Sequence, residues 1–312
     1  MADLLPVLPV SAGLSHPEAQ RHPERPAIRI VLGLLLGVMT YLVLLSVVTD
    51  LVLMISQRVT GNTQDWADYR ARAVAGELPE GLLATNIAIS ALIPVCWALL
   101  RWINLAPAGL LVSVVRRIRW GYLAASAGVA LVVFGAIQAV SLSSSGTVLS
   151  PQPQFWWFVL VVVLTSPFQA AAEEVFFRGF LQQGLGSATG RWWIGVIGSS
   201  LLFALAHGTQ SPALFVDRFV FGLVAGLLVW RTGGLEAGIG THIVNNIMAF
   251  VLAGLTSTIA EARGMTMIEW DKALIDVLTF TVIAAGCWLV ATRLKVARLT
   301  PESGLGDRAR IS

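Results

Sequence analysis

Residues Phe155–Leu181 read FWWFVLVVVLTSPFQAAAEEVFFRGFL, with no charged residue before Glu173. At 1.5 Å per residue this stretch makes a helix about 40 Å long, enough to cross roughly 30 Å of hydrocarbon. Two glutamates and an arginine then appear inside the same apolar run. Each charge near the centre of a membrane helix costs about 2.5–3.5 kcal/mol, so such residues mark function or an internal pair. The segment therefore reads as a membrane span that carries chemistry.

Composition extends that reading to the whole chain. Of 312 residues, 56% are hydrophobic and 12% charged, where a soluble domain carries about 25% charged residues. Mean hydropathy is +0.75. A soluble fold lacks the charges it would need for its surface. Spans are predicted near 29–56, 82–103, 121–142, 155–181, 192–209, 213–231, 235–256 and 274–293. The fold class is all-α, a polytopic membrane helical bundle with about eight transmembrane helices. The longest internal connection, 57–81, has the charge pattern of a short amphipathic helix.

The net charge of +3 comes without a clustered basic face, so nucleic acid is not an expected partner. The lipid bilayer is. Cys96 and Cys287 lie in apolar runs and read as buried thiols rather than a disulfide. Most of the 21 Lys and Arg residues fall on the side of the N-terminus, which places both termini in the cytoplasm. An Arg-, Ala- and Gly-rich chain with two lysines points to a bacterial plasma membrane. Residues 1–28, rich in proline and polar side chains, read as a disordered cytoplasmic tail.

Polar residues in four places stand out. Glu174 and Arg178 are four apart and can meet on one helix face. Glu173 is turned away from that pair, free to face a cavity and bind water as a general base. The bland alternative is a buried Glu–Arg cluster that locks helices together. His207 ends the fifth span, with Phe203 one turn earlier as a packing residue, and a lone histidine there is often only interfacial. His242 and Asn246 share a face and could donate to a developing oxyanion, or serve as glue between helices. Asn245 points elsewhere. Asp217, Arg218 and Glu236 read as boundary residues, and Gly222 with Gly226 as a surface for close helix packing.

Together these motifs, EExxxR, FxxxH and HxxxN in that order, resemble the CPBP family of intramembrane proteases, also called the Abi or Rce1-like family. The residues that carry the resemblance are Glu173, Glu174 and Arg178, Phe203 and His207, and His242 and Asn246, within about 155–256. It implies an eight-helix intramembrane endopeptidase, and a glutamate base with an amide in the oxyanion hole explains Asn246 without a cofactor. Glu173 and His207 would activate water, His242 and Asn246 would stabilise the oxyanion, and Glu174, Arg178 and Phe203 would support the site. A substrate peptide or membrane protein, lipidated in the CaaX-processing members, is the implied partner. The corresponding divisions are 1–28 (tail), 29–150 (helices 1–3), 151–256 (catalytic core, helices 4–7) and 257–312 (last helix and cytoplasmic tail).

Three alternatives stand beside it. A divalent metal such as zinc could be held by Glu173, His207 and His242, which would make a metal-dependent protease. The cluster could instead belong to a non-catalytic membrane binding or bacteriocin-immunity module. A transporter would show broken helices in paired halves, and none is apparent. One geometric demand follows from the predicted spans. His207 lies about 23 Å below the start of its helix, so convergence requires that helix to tilt or to start outside the hydrocarbon, with 208–212 in a water-filled cavity.

Overall fold

The computed structural model describes residues 7–302. Its long helices are α1 (Ala27–Val59), α3 (Pro79–Ile103), α4 (Trp120–Ser145), α5 (Phe155–Thr189), α7 (Pro212–Thr232), α8 (Glu236–Thr256) and α10 (Trp270–Arg293). These seven are long and apolar enough to cross a membrane. Shorter pieces are α2 (Trp66–Ala75), α6 (Trp192–Leu205) and α9 (Ile259–Gly264). The chain is an all-α polytopic bundle, with no sheet among the described residues. The fifth predicted span is the one that differs. At 14 residues, α6 is only about 21 Å long, and the chain leaves it through 206–211 before Ser211 caps α7 by accepting from the Leu214 N–H. The helix ends at Leu205, short of the predicted 209 and ahead of the polar run Gly208–Pro212.

Helix α5 is the hub, packed against α1, α3, α6 and α8. Glycine permits the approach of α1, since a Cβ at Gly37 would strike the Phe180 ring, and that of the segment after α3, since one at Gly179 would strike the Leu111 carbonyl. Gly222 of α7 lies against Ser200 of α6, so the small-residue surface does pack helix on helix. The connection before α3 holds the amphipathic helix expected there, α2, capped by Asp65 and ended by Gly76 at φ 86°. Cys96 and Cys287 are buried and unpaired.

Two expectations are corrected. Residues 7–26 are a packed strap rather than a disordered tail. Gln20 donates to Gln183 and accepts from Asn104, and a ring nitrogen of His16 lies 2.9 Å from the Leu110 carbonyl. The polar residues that suggested disorder satisfy polar groups at the ends of α3 and α5. The rest of the expected tails, 1–6 and 303–312, lies outside the described residues. Glu236 is no simple boundary residue either. It is fully buried and accepts three hydrogen bonds from Arg119, from the backbone N–H at 3.0 Å and from the side chain at 2.8 and 2.5 Å. Ser15 forms an isolated bridge with Leu299, so both ends of the described chain lie on one side of the bundle.

Candidate active site

The acidic pair sits where α5 changes geometry. Its α-helical part ends at Glu174, and Val175–Gln182 widens into π-helical turns whose eight residues are all buried. Such insertions recur at functional sites because they re-aim side chains within a continuous helix. Glu174 and Arg178 are both inaccessible, with Oε1 and Nη1 3.2 Å apart. The pairing expected from their spacing is present, close in distance though not aligned as a hydrogen bond. The Arg178 guanidinium lies 4.4 Å from the centre of the Phe203 ring, with Phe177 and Phe221 at 5.9 and 5.8 Å. A desolvated cation is thus held by aromatic faces and one carboxylate. Phe203 does more than fill space.

His242 of α8 reaches both carboxylates. Its Nδ1–H donates to Glu174 Oε1 at 3.0 Å, and its Nε2 stands 3.4 Å from Glu173 Oε2. Glu174 is wholly buried, whereas the Glu173 side chain keeps 15% of its surface. Adjacent carboxyl groups therefore occupy unlike environments, the arrangement by which two acids take two roles. Gly238, one turn before His242, leaves room for this: a Cβ there would lie 2.6 Å from Glu174 Oε2.

His207 follows the end of α6. Its Nδ1–H donates to the Phe203 carbonyl at 2.8 Å, which leaves Nε2 as the free nitrogen. No His207 nitrogen comes within 4.0 Å of a Glu173 oxygen, so the two are not in direct contact. The Asn246 amide donates to Gln169 at 2.9 Å. His207, His242 and Asn246 all line one cavity of about 450 Å³, within the range of ligand pockets.

The cavity also holds residues the sequence reading set aside. Asn245 lines it and donates to Asn246 Oδ1. Asp217 and Arg218 line it as well, with Lys272 and Asp276 opposite, so they are cavity residues rather than boundary ones. Because α6 is short, the start of α7 stands beside the site. Gln169 was missed although it had a signal, being a polar residue one turn before Glu173 in an apolar run.

A zinc site needs three side chains converging at about 2.0–2.3 Å. Among the described residues no three His, Cys, Asp or Glu side chains are so arranged, and both nitrogens of His242 already face carboxylates.

Comparison with known proteins finds similarity over the segment that carries these motifs. Residues 152–248 match the Rce1-like family model, described as type II CAAX prenyl endopeptidase Rce1-like. All seven candidate residues fall inside this Rce1-like segment. Among curated proteins, the uncharacterized protein YyaK of Bacillus subtilis (strain 168) is 28% identical over 145 residues, which is 42% of this chain. The match spans 48% of YyaK, about half its length. No solved structure matches.

Proposed function

We propose that the protein is an intramembrane endopeptidase of the bacterial plasma membrane, with both termini in the cytoplasm and Glu173 as its general base. The observation that carries this reading is the split between the two glutamates. Glu174 is consumed by Arg178 and His242, while Glu173 beside it stays partly open. A water held between Glu173 and the free Nε2 of His207 gives up a proton to Glu173 and attacks the peptide carbonyl carbon. The two side chains are not in direct contact, as a bridging water requires.

The oxyanion forms near α8. Asn246 exchanges its bond to Gln169 for the oxyanion, with His242, anchored to Glu174 through Nδ1–H, lining the same cavity. On collapse the C–N bond breaks, and Glu173 returns the proton to the leaving amine. The substrate is a membrane-associated peptide or protein, a class that includes lipidated C-termini.

The test is cleavage of a library that includes prenylated peptides, by wild type and Glu173→Gln proteins that elute as the same monodisperse species. Cleavage by wild type that falls by about 100-fold or more in the variant is expected. Cleavage that survives the substitution would remove Glu173 from this role.

A further inference from the structure

A second cavity, about 430 Å³, lies far from the acidic pair along the chain, where the strap meets the start of α1 and the end of α5. Arg21, His22, Arg25, Ser11 and Ser187 contribute to its wall. Arg25 is buried, only 6% exposed. It donates to the carbonyls of Gln20 and Leu105, and among the described residues its Nε has no partner and no carboxylate lies within ion-pair distance of it. Burial alone pushes it down to about 10. A buried cation without a counter-anion is costly, and an anion in the adjoining cavity offsets that cost.

The neighbouring groups are set to donate. His22 accepts the Glu24 N–H at Nδ1, so its Nε2 carries the proton. Arg21 pairs with Glu18 only at 3.7 Å among the described residues, and is half exposed. Just below the cavity α1 turns outward-facing apolar residues to its surroundings: Ile28, Leu32, Leu35 and Met39 are each 48–60% exposed. A donor-rich, cationic cavity directly above a lipid-facing helix is the setting of a headgroup phosphate.

We propose that this cavity binds a phosphate group, presented by an anionic phospholipid whose acyl chains lie along the exposed face of α1. The site is independent of the proposed protease chemistry. Binding there also reaches the catalytic helix, because the strap is tied to α5 through Gln20 with Gln183 and Ser187.

Native mass spectrometry of the full chain in detergent tests it, with phosphatidylglycerol and phosphatidylcholine of matched acyl chains as probes. Inorganic phosphate is added in a separate thermal-shift experiment. Wild type is expected to retain phosphatidylglycerol over phosphatidylcholine, and Arg21→Gln combined with His22→Gln to weaken that retention by about fivefold. Both side chains are solvent-accessible, so folding is spared. Stabilisation by inorganic phosphate that disappears in the variant, without lipid preference, supports the phosphate site with a soluble source and overturns the lipid. Equal retention of the two lipids with no response to phosphate overturns the proposal. So does a preference for phosphatidylglycerol that the double variant leaves intact.

Discussion

The Nδ1–H of His242 donates to Oε1 of Glu174 across 3.0 Å, in a place where both side chains are almost closed to solvent. This bond fixes the imidazole so that its other nitrogen faces Glu173. The two glutamates should therefore fail in different ways. Glu174→Gln leaves the buried Arg178 without its anion, and breaking a buried pair costs about 3–5 kcal/mol. Its melting temperature in detergent should fall with its activity. Glu173→Gln should melt close to wild type while losing cleavage. Equal melting of the two variants would contradict the division of roles.

Gly238 allows a second, sterically defined prediction. Alanine at this position puts a methyl group 2.6 Å from Glu174 Oε2, so the carboxylate must leave the position from which it holds His242. Overpacking of this kind costs about 1–3 kcal/mol. Gly135→Ala in α4 is the control, since no atom lies within 4 Å of its added carbon and alanine is the better helix former by about 1 kcal/mol. Gly238→Ala should lower both melting temperature and cleavage. Gly135→Ala should lower neither.

Much of this site was legible because membrane helices make polar residues conspicuous. Glu173, Glu174, Arg178, His207, His242 and Asn246 could be picked out by type and spacing, and the i, i+4 rule anticipated the contact between Glu174 and Arg178. The rule could not anticipate that His242 would face both glutamates, because that contact depends on how α8 is rotated against α5. The π-helical turns of Val175–Gln182 leave no mark in residue type. Asp217 and Arg218 looked like boundary residues because α6 was read as a full span. The strap was misread for a related reason: Gln20 and Asn104 are polar in either state, and only the folded chain shows that they satisfy each other.

Phe203 tests whether the aromatic cage contributes energy or only volume. Its ring face lies 4.4 Å from the Arg178 guanidinium, and its edge contacts include His207 at 4.8 Å. Leucine preserves much of the bulk but has no π face. A desolvated cation–π contact contributes about 2 kcal/mol, so Phe203→Leu should lower stability by about that amount. Phe203→Tyr keeps the face and should retain more of it. Chemical denaturation in detergent would compare the three proteins, and equal stability of the leucine and tyrosine variants would reduce Phe203 to packing.

His16 predicts how the strap responds to acid. The side chain is inaccessible, and burial pushes its pKa from the ordinary 6.5 down to about 4, against a hydrogen bond to Leu110 that favours the charged form. Between those values the unfolded chain binds a proton that the folded chain excludes. Its contribution to stability is therefore complete above pH 6.5 and is lost as pH falls toward 4. A difference of this size corresponds to about 3 kcal/mol. His16→Gln, which cannot titrate, should lose less stability than wild type between pH 7.5 and pH 5, measured as the change in melting temperature of each. The comparison is of slopes, so any fixed cost of the substitution cancels. Parallel slopes for the two proteins would mean that the strap accommodates a charged His16 without unfolding.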